Sequence, residues 1–68
     1  MFGILIFNGD RPDVALENGT LYGGLHCGEC FRCYLDEWLD VRLEYGNDWV
    51  LVCGGRRLPV KYGAQVQL

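Results

Sequence analysis

Three of the four cysteines and the only histidine lie close together, as His26-Cys27-x-x-Cys30-x-x-Cys33. Thiolate and imidazole groups are ligands that Zn²⁺ prefers, and a C-x-x-C turn can present two sulfurs to one metal. With Cys53 downstream, the candidate ligands of one zinc site are His26, Cys27, Cys30 and Cys53. A structural zinc would also stabilise a chain of only 68 residues, because metal binding contributes to the free energy of folding.

The zinc signature is incomplete, because a zinc ribbon has a second paired knuckle and here only Cys53 remains to close the set. Cys30 and Cys33 also point to opposite faces if residues 29–35 form a strand, so their sulfurs would not converge. We therefore predict structural cysteines and no metal or other cofactor, with zinc as the alternative. A Cys27–Cys30 disulfide is a further alternative.

Cys27-Gly28-Glu29-Cys30 also has the spacing of a thioredoxin-like redox pair. Such a pair requires a βαβ setting and a helix N-terminus beside the thiol, and the sequence offers neither. A catalytic pair of Cys27 with His26 is disfavoured, because adjacent residues of an extended segment point in opposite directions. We predict that the chain is not an enzyme; a small thiol enzyme is the weakest alternative.

Aromatic and arginine side chains form a second set of candidates. In the predicted central hairpin, Tyr34, Trp38 and Arg42 share one face with Arg32 and Glu44. Trp, Tyr and Arg are residue types that anchor interfaces, and aromatic rings also stack on bases. The alternative is a solvated face, on which Trp38 only shields the hairpin through cross-strand pairing.

Arg56-Arg57 is the only basic cluster, with Lys61 nearby and Gly54-Gly55 directly before it. It is either a solvated turn or a contact for an anion or phosphate, helped by the glycine amides. The predicted ligand- or partner-binding residues are His26, Tyr34, Trp38, Arg42, Arg56 and Arg57.

Short strands between glycine-containing turns position these residues, and no segment keeps a period of 3.6 over ten or more positions. Strands are predicted at residues 2–7, 13–17, 29–35, 38–45, 49–53 and 65–68, with a short edge piece at 58–61. The sequence therefore predicts an all-β fold: a small SH3-like β-barrel of five to six short antiparallel strands, in one domain that spans residues 1–68.

The connections and one buried face are predicted as well. Residues 8–12 are expected to turn, residues 20–26 to form an irregular loop and residues 62–64 to form a single helical turn. The alternation in the central hairpin predicts one inner face, made of Phe31, Cys33, Leu35, Leu39, Val41, Leu43 and Tyr45.

Charge and hydropathy exclude several partner classes. A net charge of −3 leaves no basic excess to neutralise phosphates, so we predict no binding to duplex nucleic acid. No segment approaches the roughly 20 apolar residues of a membrane span. The apolar residues 1–7 lack the basic region and cleavage site of a signal peptide. We therefore predict no membrane partner and a cytoplasmic location.

Leu25-His26-Cys27-Gly28-Glu29, then Trp38, then the run from Arg42 to Val52, resemble the DUF5348 family of small uncharacterised domains from bacteria and phages. The resemblance covers residues 1–68 and is specific across residues 25–52. It implies an SH3-like β-barrel of Gram-positive bacteria, their prophages and other mobile elements, without an established activity. Two features depart from the pattern: Val50 replaces a usual aromatic, and three cysteines lie outside it, namely Cys30, Cys33 and Cys53.

Together these observations predict a non-catalytic binding module of phage or mobile-element origin. We expect an anti-defence protein in the host cytoplasm that binds a host protein or sequesters a nucleotide signal, with Tyr62 as a further nucleotide contact. The alternatives are a zinc-stabilised small adaptor domain and the thiol enzyme. Free strand edges near residues 54–59 also predict a homo-oligomer, paired across a two-fold axis.

Overall fold

The computed structural model describes residues 1–68 as seven antiparallel strands in one sheet. The strands are β1 (Phe2–Asn8), β2 (Arg11–Leu16), β3 (Cys30–Tyr34), β4 (Trp38–Tyr45), β5 (Trp49–Cys53), β6 (Arg56–Pro59) and β7 (Gln65–Gln67). Their order is β2-β1-β7-β3-β4-β5-β6, and the sheet is not closed. The all-β prediction is confirmed, with seven strands where five to six were expected. The SH3-like barrel stays a prediction. The structure contains no helix of the length and hydrophobicity that a membrane span requires.

One face of the sheet carries the hydrophobic core. Its buried members are Leu5, Val14, Leu25, Phe31, Cys33, Val41, Leu43, Leu51, Ala64 and Val66. The predicted inner face of the central hairpin is confirmed except at Tyr45, which is 56% exposed. Tyr45 lies at the end of β4, beyond the core, and its ring packs against Trp49 at 4.7 Å between centroids.

The predicted turn at residues 8–12 is shorter in the structure, because Arg11 and Pro12 already belong to β2. Pro12 pairs with Phe7 of β1, and its carbonyl accepts the Leu25 N–H from the opposite side. The backbone groups of Pro12 therefore point away from β1, and its missing N–H removes no bond of the β1–β2 ladder.

The predicted helical turn at residues 62–64 is wrong. These residues form a turn in which Gly63 has a positive φ of 98°. The Gly63 N–H donates to the Leu5 carbonyl, and the Leu5 N–H donates to the Ala64 carbonyl. The Ala64 N–H donates to the Lys61 carbonyl and closes the turn, while the two bonds to Leu5 join this turn to β1 beside β7.

The irregular loop of residues 20–26 is confirmed, and it covers the outer edge of β2. Three backbone hydrogen bonds of 2.8–2.9 Å fix it there, joining Leu16 to Thr20, Tyr22 to Val14 and Leu25 to Pro12. The backbone groups at this edge of the sheet therefore have hydrogen-bond partners, and a covered edge cannot pair with another chain.

Asp13 is the one buried charged residue, with 0% of its surface exposed. Its Oδ1 accepts the N–H groups of Val14, Gly23 and Gly24 at 2.8–3.0 Å, and its Oδ2 accepts the Asn8 side-chain amide at 3.1 Å. Burial pushes the pKa of Asp13 upwards, but these hydrogen bonds outweigh it and hold that pKa below its ordinary value. The ionised carboxylate thus fastens residues 23 and 24 to β2.

The substitution Asp13→Asn is expected to reduce the free energy of unfolding by about 2 kcal/mol at pH 7, because the remaining amide oxygen is an uncharged acceptor and the amide nitrogen cannot accept from Asn8. The folded pKa lies below the unfolded one, so the contribution is complete above the unfolded pKa of about 3.9 and is lost as the pH falls through the folded value. Urea unfolding from pH 7 to pH 3 checks this. The exposed control Asp10→Asn should change little, and a deficit independent of pH would contradict the assignment.

Candidate functional site

The sheet face opposite the core carries most of the predicted binding residues, and we call it the outer face. Across β3 and β4, Tyr34 pairs with Trp38 and Cys30 pairs with Arg42. Arg42 also pairs with Val52 of β5, and Val52 pairs with Arg57 of β6. Because side chains opposite each other share a face, Arg42 and Arg57 flank Val52 on the outer face.

An aromatic cluster forms one part of the outer face. The rings of Phe2 and Tyr34 lie 6.1 and 5.5 Å from the half-buried ring of Trp38, both edge-to-face. The guanidinium carbon of Arg32 lies 5.8 Å from the Trp38 ring centroid. Such contacts hold the Trp38 side chain in one orientation.

Phe2 is the member of this cluster that sequence reasoning missed. It pairs with Gln67 of β7, which in turn pairs with Arg32 of β3. The order of the strands therefore brings Phe2 beside the central hairpin, although the two are far apart in sequence. No local pattern of the sequence signals this neighbour.

A groove of about 800 Å³ lies beside the aromatic cluster. Arg32 and Arg42 line it, together with Asp40 between them on β4 and the apolar side chain of Val52. The two-glycine turn that joins β5 to β6 also lines it. The groove therefore combines an apolar floor with two guanidinium groups.

The ion pairs of these arginines leave part of each guanidinium free. The Arg32 Nε lies 3.6 Å from an Asp40 oxygen, and the Arg42 Nε donates to a Glu44 oxygen at 2.5 Å. Both side chains are 50% exposed, and their Nη atoms donate no hydrogen bond within the chain. Arg57 forms no ion pair. These groups are therefore available to an anion.

Glu44 connects the outer face to the loop that precedes β3. Its Oε1 accepts the Cys27 thiol at 3.2 Å, while its Oε2 accepts Arg42. The hydrogen bond from Cys27, followed by that from Arg42, lowers the pKa of Glu44. Cys27 thus acts as a donor that orients the carboxylate beside Arg42.

The Leu25–Glu29 segment positions Cys27. Leu25 is fully buried in the core, and Gly28 takes a positive φ of 90° while its N–H donates to the Leu43 carbonyl at 2.6 Å. Glu29 accepts the backbone N–H of His26 at 3.0 Å. The side chains of His26 and Cys27 are exposed. The leucine, glycine and glutamate of the motif are therefore structural.

Glu29 also accepts the Tyr22 hydroxyl at 2.5 Å. This hydrogen bond raises the pKa of Tyr22, because the neutral phenol is the donor that the carboxylate requires. The bond ties the loop over β2 to the start of β3.

Two of the six predicted binding residues lie apart from the other four. The His26 Nδ1 lies 3.4 Å from an Arg11 Nη atom, and the Arg11 guanidinium lies 6.0 Å from the Trp49 ring. Arg56 pairs with Cys53, whose side chain is on the core side of β5. The outer face therefore unites Tyr34, Trp38, Arg42 and Arg57.

All four cysteines are free thiols. No three His, Cys, Asp or Glu side chains form a group that could hold a metal ion. Cys30 lies on the outer face, whereas Cys53 lies on the opposite face of the sheet. This arrangement gives no support to the zinc alternative.

Gly28→Ala is expected to lower the free energy of unfolding by about 1 kcal/mol, because an L-residue is disfavoured at a φ of 90°. Gly46→Ala is the matched control: both positions have open space for a Cβ, but only Gly28 has a positive φ. Equilibrium unfolding of both variants measures the difference. An equal effect at the two glycines would show that φ at Gly28 does not matter.

The comparisons with known proteins agree with this architecture. The crystal structure of a protein from Ruminococcus gnavus, a Northeast Structural Genomics Consortium target, is similar to this chain, with 37% sequence identity and a TM-score of 0.84. The similarity covers 100% of both chains. A comparison with curated proteins found no match.

The model of one protein family matches residues 3–68, and its description is a domain of unknown function. This match covers nearly the whole chain, including the Leu25–Val52 region on which the resemblance depends. The chain therefore belongs to the DUF5348 family.

Proposed function

We propose that this chain is a non-catalytic binding module and that its outer face holds a small anionic ligand with an aromatic ring, of the nucleotide class. The observation that carries the proposal is the groove of about 800 Å³ between Arg32 and Arg42. It lies beside the ring of Trp38, over which Arg32 extends. Cationic and aromatic groups are thus combined at one place.

The distribution of charge supports an anionic ligand. The chain has a net charge of −3 and six cationic side chains. Three of these, Arg32, Arg42 and Arg57, lie on the outer face. Arg42 and Arg57 are two strands apart, or about 10 Å at the usual strand spacing. Guanidinium groups at this separation can hold one phosphate between them or two linked phosphates.

The aromatic cluster supports a ligand with a planar ring. Base–aromatic stacking contributes about 1–3 kcal/mol per base and tolerates any base, because every base has a π-face. Tyr34 and Phe2 are each nearly half exposed and border Trp38. A base on this cluster would place its phosphates toward the groove.

The contacts of the exposed thiol favour binding over thiol chemistry. Cys27 donates to Glu44, whereas His26 contacts Arg11 on a different strand. The two residues of the thiol-enzyme alternative therefore have separate partners. A general base must lie within hydrogen-bond reach of the proton that it removes.

The resemblance to domains of phages and mobile elements extends the proposal to a biological role. On this proposal the chain is an anti-defence protein that sequesters a nucleotide signal in the host cytoplasm. A host protein is the second candidate partner. It is favoured by the exposed rings of Phe2, Tyr34 and Trp38, because aromatic and arginine side chains anchor protein interfaces.

Isothermal titration with a panel of mono-, di-, tri- and cyclic nucleotides tests the proposal. Arg57→Gln should weaken binding by at least about tenfold, because one charge-assisted hydrogen bond contributes about 1.5–3 kcal/mol. Arg56→Gln is the matched control, since it removes the same charge from the neighbouring position, which faces the other side of β6. This control should retain the affinity within about twofold, as expected for an exposed charge.

Equal losses at residues 56 and 57 would contradict the assignment of the ligand to the outer face. The absence of binding by every nucleotide would overturn the nucleotide class. The second candidate would be established instead by one host protein that binds the native chain and the Arg57→Gln variant but does not bind the Tyr34→Ala variant.

A further inference from the structure

A second groove, which we call the end groove, lies where the β3–β4 turn approaches β6, and its volume is about 590 Å³. Half-buried apolar side chains supply its floor: Leu35, Leu39, Cys53, Leu58 and Val60. One side of each of these side chains packs against the core, and the other side is open to solvent. Covering them would remove further apolar surface from water, which is favourable at about 25 cal/mol per Å².

The two rims of the end groove carry opposite charges. Asp36 and Glu37 of the β3–β4 turn form the acidic rim, and Arg56 and Lys61 form the basic rim. None of these four side chains takes part in an ion pair of the chain, since all three pairs involve Arg11, Arg32 or Arg42. Both rims are therefore available to a partner of matching charge.

We propose that the end groove is the contact between two copies of this chain related by a two-fold axis. A two-fold axis brings one surface against itself, and when the axis runs parallel to the groove the acidic rim of one copy faces the basic rim of its partner, and the reverse. A surface with one positive and one negative rim is complementary to itself only in this arrangement. The two apolar floors meet between the rims.

The free edge of β6, from which self-association was expected, is less suited to the contact. Gly54 and Gly55 form a two-residue turn with φ values of 56° and 83°. The flanking pair, Cys53 and Arg56, then exchanges the backbone hydrogen bonds of the hairpin, so Arg57 and Pro59 direct their backbone groups outwards. Pro59 has no N–H to donate, and two paired β6 strands would bring arginines of both copies together. Proline and charge protect the edge.

The surface that each copy must bury to form a stable dimer is a small part of its total surface. A specific interface buries about 600 Å² or more on each partner. The whole chain exposes 4273 Å². The end groove, its rims and the side chains around them have to supply about one seventh of this surface. Because the rim charges are exposed, salt at about 1 M should weaken the dimer by screening them.

Charge-swap variants test the two-fold arrangement. The first, D36N/E37K, makes both rims basic, and the second, R56E/K61E, makes both acidic. Asn is chosen at position 36 because Asp36 has a φ of 71°, which Asn also tolerates. Like charges across an interface cost several kcal/mol, so each variant alone should dimerise about 100-fold more weakly than the native chain.

An equimolar mixture of the two variants should recover a dimer that contains one copy of each, because both contacts then join a basic rim to an acidic rim. Sedimentation velocity and native mass spectrometry identify that species by its mass. The matched control is D10N/E17K, which makes the same change of charge at exposed positions outside the groove and should dimerise like the native chain. Circular dichroism melts check that each variant folds.

A native chain that remains monomeric up to millimolar concentration would overturn the proposal. So would variants that dimerise like the native chain, or a mixture that yields no mixed dimer. These outcomes do not depend on the ligand of the outer face, because none of the four rim residues lies there. Nucleotide titration of both variants separates the two proposals.

Discussion

The ionised carboxylate of Asp13 is the interaction on which the loop that leads to the outer face depends. It accepts the N–H groups of Gly23 and Gly24 and so holds the irregular loop against the edge of β2. The loop then inserts Leu25 into the core, and the chain turns at Gly28 toward β4. Without an acceptor at residue 13, the buried N–H group of Gly24 would lack a partner, at a cost of about 1–3 kcal/mol.

The loop held by Asp13 also contacts the candidate binding site, through the side chain of Cys27. The turn at Gly28 places the Cys27 thiol on Glu44, and Glu44 receives the Nε of Arg42. The orientation of an arginine on the outer face is thus set by a loop that enters from the opposite edge of the sheet. This explains why the Leu-His-Cys-Gly-Glu segment is distinctive in sequence although most of its members perform structural work: it joins the covered edge to the central hairpin.

Local alternation makes β3 and β4 predictable, because each of these strands has a buried and an open face that a period of two records. The same alternation places Tyr34, Trp38 and Arg42 on one face of the hairpin. The position of β7 between β1 and β3 is not predictable in this way, because pairing between the two ends of the chain leaves no periodic signal. Nothing in the sequence therefore shows that Phe2 lies beside Trp38. The role of Asp13 is hidden for a similar reason, since its partners lie in an irregular loop.

The residue at which β6 begins decides whether Arg56 and Arg57 are assigned to one surface or to two. A strand that begins at residue 58, as predicted, leaves both arginines in a turn, where they form one cluster. Because β6 begins at Arg56, the two side chains alternate, and one faces the end groove while the other faces Val52. A single basic dipeptide thus supplies a cation to each of two surfaces. Under the two proposals, ligand binding and self-association use different charged groups and can therefore vary independently.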